Sequence, residues 1–229
     1  MRDALLVVGQ LVTRMYGSGQ ASFAAVAEAD FTVEPGQHVA IVGPSGSGKS
    51  TLLHLIAGLD EPTSGAIRWP SLGDRDVLRP GPVAVAFQGP SLLPPLTVAE
   101  NVELPTILSG DAGDERSAEG RTVAELLELF EVSELAGKLP EEISGGQSQR
   151  VGLARAFMGL PRLVLVDEPT GQQDRATAAR VLDTMLEIAA RDGIALVVAT
   201  HDEMVAGRMS LRWSMQAGRL FTEAVGCSA

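Results

Sequence analysis

The sequence predicts an α/β protein with a parallel sheet, an N-terminal antiparallel β addition and an inserted α-helical subdomain. Two observations carry the parallel sheet. Short apolar runs at His38–Val42, Val83–Phe87, Leu163–Val166 and Ile194–Ala199 have strand length and do not alternate, as strands covered on both faces require. Helical patterns lie between them, which is how parallel strands are connected. The third observation is the partial alternation of Phe23–Val33 ahead of the Pro35-Gly36 turn, which reads as a strand with one solvated face.

In chain order, Leu5–Val8 is a first short strand, followed by Phe23–Val33 and His38–Val42. A helix begins near Lys49, with Leu52, Leu53, Leu55 and Ile56 apolar, and stops near Gly58. Pro62-Thr63-Ser64-Gly65 reads as a turn. From Pro90 onward Pro and Gly punctuate the chain, and Ser109–Gly120 is polar and loop-like. Val123, Leu126, Leu127 and Phe130 then fall at i, i+3, i+4 and i+7, one face of a helix, and Gln149–Met158 reads as another. Residues 89–160 are therefore expected to form the helical subdomain, and residues 1–88 with 161–229 the remainder of one domain. A helix carrying Val181, Leu182, Met185, Ile188 and Ala189 on one face precedes the last parallel strand. Trp213 and the Gln216-Ala217-Gly218-Arg219 turn point to a closing hairpin.

Bulk properties narrow the function. The net charge of −11 opposes binding to a phosphate backbone, so nucleic acid is not expected as a partner. No apolar run approaches the roughly 18 to 20 residues that span a bilayer. Met1-Arg2-Asp3 and the short apolar stretch after it lack the length and cleavage site of a signal peptide. The single cysteine, Cys227, permits no intrachain disulfide, which fits a reducing cytoplasm.

Three motifs carry chemistry. Gly43-Pro44-Ser45-Gly46-Ser47-Gly48-Lys49-Ser50 fits G-x-x-x-x-G-K-[ST] between a strand and a helix, and Thr51 follows it. Successive N–H groups and a helix N-terminus suit a polyphosphate; Lys49 is placed to reach β- and γ-phosphates and Ser50 to ligate Mg²⁺. Leu163–Val166 places Asp167 at the carboxyl end of a buried strand, where it can hold the Mg²⁺ hydration shell. Glu168, next to it, can take a proton from an attacking water. Ser144-Gly145-Gly146-Gln147 precedes a helix and forms a second anion-ready N-terminus. Two such starts in one chain raise the possibility that each serves a different face of a nucleotide, in two copies of the protein.

The set Gly43–Thr51, Gln88, Ile143–Gln147, Leu163–Glu168, Asp174 and His201 resembles the ATP-binding cassette family in order and spacing, over nearly the whole chain. The resemblance implies a P-loop NTPase core and an ATPase using ATP and Mg²⁺. It implies that Gln88 senses the γ-phosphate and Mg²⁺, and that Ser144, Gly145, Gly146 and Gln147 close over the ATP of a second copy, or of a paralogous cassette. It further implies that His201 contacts the γ-phosphate, that Asp174 lies in a loop crossing the dimer interface, and that Tyr16 stacks on adenine. Ile143 stands where leucine is usual, Ser148 replaces a common glutamine, and Gln173 replaces a leucine before Asp174.

Gly58–Gly65, Asn101–Pro105 and Asp167–Gly171 look like the branch with lipoprotein-release, macrolide-export and cell-division cassettes. That likeness implies an integral membrane permease as partner and a cytoplasmic location on the inner face of the membrane. Two other classes remain: a regulatory cassette activating cell-envelope enzymes without transport, and a soluble cassette acting on DNA or ribosomes. Acidity and the compact stretch between Lys49 and Ser144 disfavour the last.

Overall fold

The computed structural model describes residues 5–89, 91–109, 120–171 and 173–224. In chain order the elements are β1 (Val7–Tyr16), β2 (Phe23–Val33), β3 (His38–Val42), α1 (Lys49–Ile56), β4 (Ser64–Arg68), β5 (Val83–Ala86), α2 (Val98–Ser109) and α3 (Val123–Leu129). They continue with α4 (Gly145–Ala156), β6 (Leu163–Asp167), α5 (Arg175–Asp192), β7 (Ala195–Thr200), α6 (Glu203–Ala206), β8 (Leu211–Gln216) and β9 (Arg219–Ala224). The expected loop at 109–120 and Cys227 lie largely or wholly outside the described residues.

The chain divides into two compact units, Met1–Leu78 with Ala195–Ala229, and Arg79–Ile194. In the first unit β7, β3 and β8 run parallel side by side, with Val42 opposite both Thr200 and Ser214. β9 returns antiparallel on β8 through the expected hairpin, whose turn residues Ala217 and Gly218 both have positive φ. β2, β1 and β4 make a separate antiparallel sheet. Phe31 of β2 meets Trp213 of β8 with ring centroids 5.8 Å apart.

β1 is longer than the expected Leu5–Val8. Register shifts between Gly9 and Val12, between Val12 and Arg14, and between Arg14 and Met15 break the two-residue period, and Leu11 sits at φ 48 with its side chain exposed. Bulges of this kind erase the alternation by which a strand is recognised. Ser64 and Gly65, expected in a turn, open β4, an edge strand pairing Ser64 with Thr13 and Arg68 with Val8. Its residues are exposed or half-buried, so no apolar pattern marks it.

In the second unit β5 and β6 pair in parallel, with Ala86 opposite Val166. Helices α2, α3 and α4 pack together, and α4 also lies on β5. Phe130 and Phe157 are each 1% exposed and their rings are 6.0 Å apart, which makes them the aromatic centre of this unit. Helix α4 starts four residues before the expected Gln149. Ser144 and Gln147 form a reciprocal capping box, which carries the two glycines into the first turn. Helix α5 is bracketed by Asp174 at its N-cap and Gly193 at φ 65 after its last turn.

Two expectations follow from the second unit. Phe130→Ala should cost about 3–5 kcal/mol through the cavity it leaves, read as a lower urea midpoint; an unchanged midpoint would contradict the packing. Glu100 and Glu125 accept the backbone N–H groups of Thr97 and Thr122, and Asp174 is hydrogen-bonded at Thr177, so all three carboxyls titrate below their usual range. A depressed folded value stabilises above the unfolded value and loses that contribution as pH falls through the folded one. The thermal midpoint should therefore drop below about pH 4. The drop should be shallower in the Glu100→Gln, Glu125→Gln, Asp174→Asn triple variant, and an identical profile would contradict the assignment.

Candidate active site

In the first unit, the buried strand β3 delivers the chain into Gly43 and the loop that ends at α1. Ser47 N–H closes the turn on the Pro44 carbonyl at 3.2 Å. Gly48 caps α1 at φ 105, and no side chain satisfies the first turn. A Cβ on Gly48 would lie 1.9 Å from the Ala25 carbonyl oxygen, so glycine is obligatory there. Lys49 is 7% exposed, and its Nζ donates to the carbonyls of Gly43 at 2.9 Å and Pro44 at 3.2 Å. An ammonium has three donors, so one N–H remains for an anion. Ser47 Oγ is buried with no hydrogen-bond partner among the described residues. Pro44, Ser45 and Gly46 are exposed, and Ser50 and Thr51 are half-buried on the first turn. The result is a concave run of N–H groups at a helix start, a geometry that holds phosphate.

His201 follows β7 directly and is exposed. Because Val42 pairs with Thr200, Gly43 and His201 leave neighbouring parallel strands at the same level. This carboxyl edge is where ligands bind in parallel α/β sheets. Tyr16 ends β1 half-buried, and its hydroxyl donates to Asp60 Oδ2 at 2.7 Å. Arg14 forms an ion pair with Asp60 at 2.8 Å and lies 4.8 Å from the Tyr16 ring centroid. Burial pushes the Asp60 carboxyl upward, but the Tyr16 hydrogen bond, the Glu61 N–H and Arg14 together hold it below its usual value. One ring face of Tyr16 is thus covered by a guanidinium.

In the second unit, β5 and β6 end side by side, and Gln88 and Glu168 each follow two residues beyond the paired Ala86 and Val166. Gln88 is exposed, whereas Asp167 and Glu168 are 5% and 7% exposed. Glu168 has φ 50, a conformation that costs a non-glycine residue of order 1 kcal/mol or more and must be held by its surroundings. Its carbonyl accepts Gln149 Nε2 at 2.7 Å. A cavity of about 10 Å³, lined in part by Phe87, Gly89, Ser91, Gln149, Asp167 and Pro169, has room for about one water.

Ser144 is exposed at the N-cap of α4, where its Oγ accepts the Gln147 N–H at 3.3 Å. Gln147 Oε1 in turn accepts the Ser144 N–H at 2.8 Å. The serine's own O–H proton is left to be donated. Gly145 is exposed and Gly146 half-buried beside it. Asp174 is exposed and caps α5 by accepting the N–H groups of Ala176 and Thr177 at 3.0 and 3.1 Å.

The structural roles of three polar residues escape the motif reading. Asn101 is fully buried and fixes the preceding loop: its Nδ2 donates to the carbonyls of Leu93, Leu96 and Thr97, and its Oδ1 accepts the Leu93 N–H. Arg155 of α4 donates to the Ser91 carbonyl at 2.9 Å and to Ser91 Oγ at 2.8 Å, tying α4 to the segment after Gln88. Burial lowers its pKa. Gln149 is the third. The available signal was a polar side chain on an otherwise apolar helical face, most visible at Asn101 between Val98 and Val102.

A protein-family model described as ABC transporter matches residues 26–171. The lipoprotein-releasing system ATP-binding protein LolD of Legionella pneumophila (strain Paris) is 40% identical over 228 residues, covering 96% of this chain and 99% of that protein. The macrolide export ATP-binding/permease protein MacB of Rhodopseudomonas palustris (strain HaA2) is 40% identical over 202 residues, 85% of this chain but 30% of that protein. The dimeric structure of the ATP-binding cassette MJ0796 bound to ADP and phosphate superposes with a TM-score of 0.84 at 33% identity, covering 96% of this chain and 99% of that one. Among the described residues no helix is long and apolar enough to cross a membrane. These comparisons show the family: the chain belongs to the ABC transporter family and is an ATP-binding, ATP-hydrolysing cassette.

Proposed function

We propose that this cassette works as a dimer around two ATP molecules and drives a separate membrane permease of the export or mechanotransmission type. The observation that carries the reading is the pair of anion-ready helix starts in one chain, at Gly48 and at Ser144, with the buried acidic strand end at Asp167-Glu168. One helix start binds the chain's own ATP, and the other covers the ATP of a second copy. The dimeric MJ0796 cassette and the likeness to lipoprotein-releasing and macrolide-exporting systems support the dimer and the permease. The cassette then works on the cytoplasmic face of the membrane, through that permease.

The whole of residues 1–229 acts as one nucleotide-binding domain. Residues 1–88 and 161–229 form the ATP-binding core with its antiparallel β addition, and residues 89–160 the helical signature part. The Gly43–Thr51 loop cradles the phosphates and Tyr16 stacks on adenine. By the family resemblance, Ser50, Asp167 and Gln88 would supply the oxygen contacts to Mg²⁺, a hard cation that takes few protein ligands beside substrate phosphates. Held there, the cation would supply neutralisation of the nucleotide's phosphate charge. Glu168 accepts the proton of the attacking water, His201 contacts the γ-phosphate, and Ser144–Gln147 of the second copy donates to it. ATP favours the closed dimer by its greater affinity for that state, and hydrolysis releases it. Asp174 lies at the dimer seam.

Lys49→Ala should weaken ATP binding roughly 10- to 100-fold, the worth of a charge-assisted hydrogen bond. Isothermal titration reads this, and unchanged affinity would remove Lys49 from the phosphate site. Glu168→Gln should bind ATP normally, hydrolyse it at least about 100-fold more slowly and accumulate as a dimer on gel filtration with ATP. Wild-type turnover would show that Glu168 is not the base. The permease is tested by purifying tagged Glu168→Gln from its native membranes with ATP. A co-purifying integral membrane protein is expected, and a dimer without one would overturn the transport reading.

A further inference from the structure

Gln173 stands where the resemblance leads one to expect leucine, and its surroundings explain what a polar side chain does there. Its Nε2 donates to Gln149 Oε1 at 3.4 Å, and Gln149 Nε2 donates to the Glu168 carbonyl at 2.7 Å. The two bonds run in one direction through both ends of a single buried amide. We propose that Gln173 is a positioning residue for hydrolysis: through Gln149 it holds the Glu168 peptide and so fixes where the Glu168 carboxylate points. The proposal rests on Glu168 being the base.

Three features support it. Glu168 sits at φ 50, so its backbone is held in place by neighbours rather than by its own preference. Loss of a bond to its carbonyl lets the residue relax and turns the carboxylate away. Gln149 is 8% exposed, so its amide needs a partner at each end, and Gln173 supplies one of them. Finally, Gln173 Oε1 is buried without a hydrogen-bond partner among the described residues. A buried unpaired acceptor lowers stability, and an apolar side chain of similar size would avoid the loss. The glutamine therefore costs stability on one side of its amide, and its other side is tied to the base.

The link has a mechanical consequence. Gln173 N–H bonds the Thr170 carbonyl at 3.2 Å, and the next residue, Asp174, pins the start of α5. Gln149 belongs to α4, whose first residues are Gly145 and Gly146. A displacement of α4 or of the Asp174 segment is thus transmitted to the peptide of Glu168.

The test is a double-mutant cycle on the purified full chain, with Gln173→Leu, Gln149→Leu and both together, and Glu168→Gln as reference. Steady-state kcat and KM for ATP and the thermal midpoint are measured for each. Gln173→Leu should lower kcat roughly 2- to 10-fold, the worth of one net hydrogen bond, with KM within about twofold. Its thermal midpoint should stay or rise, which a merely structural role would not produce. Gln173→Glu, which keeps the length but cannot donate, should lower kcat likewise. The double variant should be no slower than Gln149→Leu alone, since both single changes break one link. Wild-type kcat in Gln173→Leu with Glu168→Gln inactive would overturn the proposal and leave the base assignment standing. So would independent, multiplicative effects of the two leucine variants, or a fall in kcat that tracks a lower thermal midpoint. Turnover retained by Glu168→Gln would instead remove the base, and the proposal with it.

Discussion

The close approach of backbone to backbone around Gly48 is the constraint on which the nucleotide end of the molecule depends. The Ala25 carbonyl of β2 presses against this residue so tightly that a Cβ would stand 1.9 Å away, and a Cβ on Gly43 would stand 2.3 Å from the Met215 carbonyl of β8. Two strands from different sheets thus buttress one loop. With the loop held open, α1 begins without a side-chain cap, and Lys49 folds onto the Gly43 and Pro44 carbonyls. The loop is preformed, so a phosphate held there would require little reorganisation.

The second unit solves a different problem, that of holding acidic and polar groups inside an aliphatic core. β6 is buried along its whole length and ends in two buried carboxylates. The polar side chains around them are not isolated. Asn101 organises the loop ahead of α2, Arg155 ties α4 to Ser91, and Gln149 ties α4 to the Glu168 carbonyl. Helix α4 is therefore coupled both to the segment after Gln88 and to the Glu168 peptide, through hydrogen bonds that have few alternatives in a low-dielectric interior. A cassette in which movement of the signature helix alters hydrolysis needs connections of this kind.

What the sequence made legible follows from the physics of each element. β3, β6 and β7 are covered on both faces and appear as unbroken apolar runs. α5 shows its apolar face at helical spacing because one side is solvated. The phosphate loop is legible because glycine, lysine and hydroxyl residues at fixed spacing have few other uses. β1 was hidden by its bulges and β4 by its exposure. The partners of Tyr16 were hidden too, because Asp60 comes from a loop far along the chain and Arg14 covers the ring only once β1 has folded. Gln149 and Gln173 lie close in space and apart in sequence, so their bond follows from packing rather than from any motif.

The central claim, that two copies complete one another's sites, is tested most directly by mixing two inactive variants. Lys49→Ala disables the phosphate loop, and Ser144→Glu places a carboxylate at the second helix start, where it repels phosphate. If the sites are shared between copies, a mixed dimer holds one site with both defects and one site with none. Combining the two purified variants should then restore ATP hydrolysis that neither shows alone. Mixtures that form dimers yet remain as inactive as their components would show that each chain relies on its own Ser144, and would contradict the account.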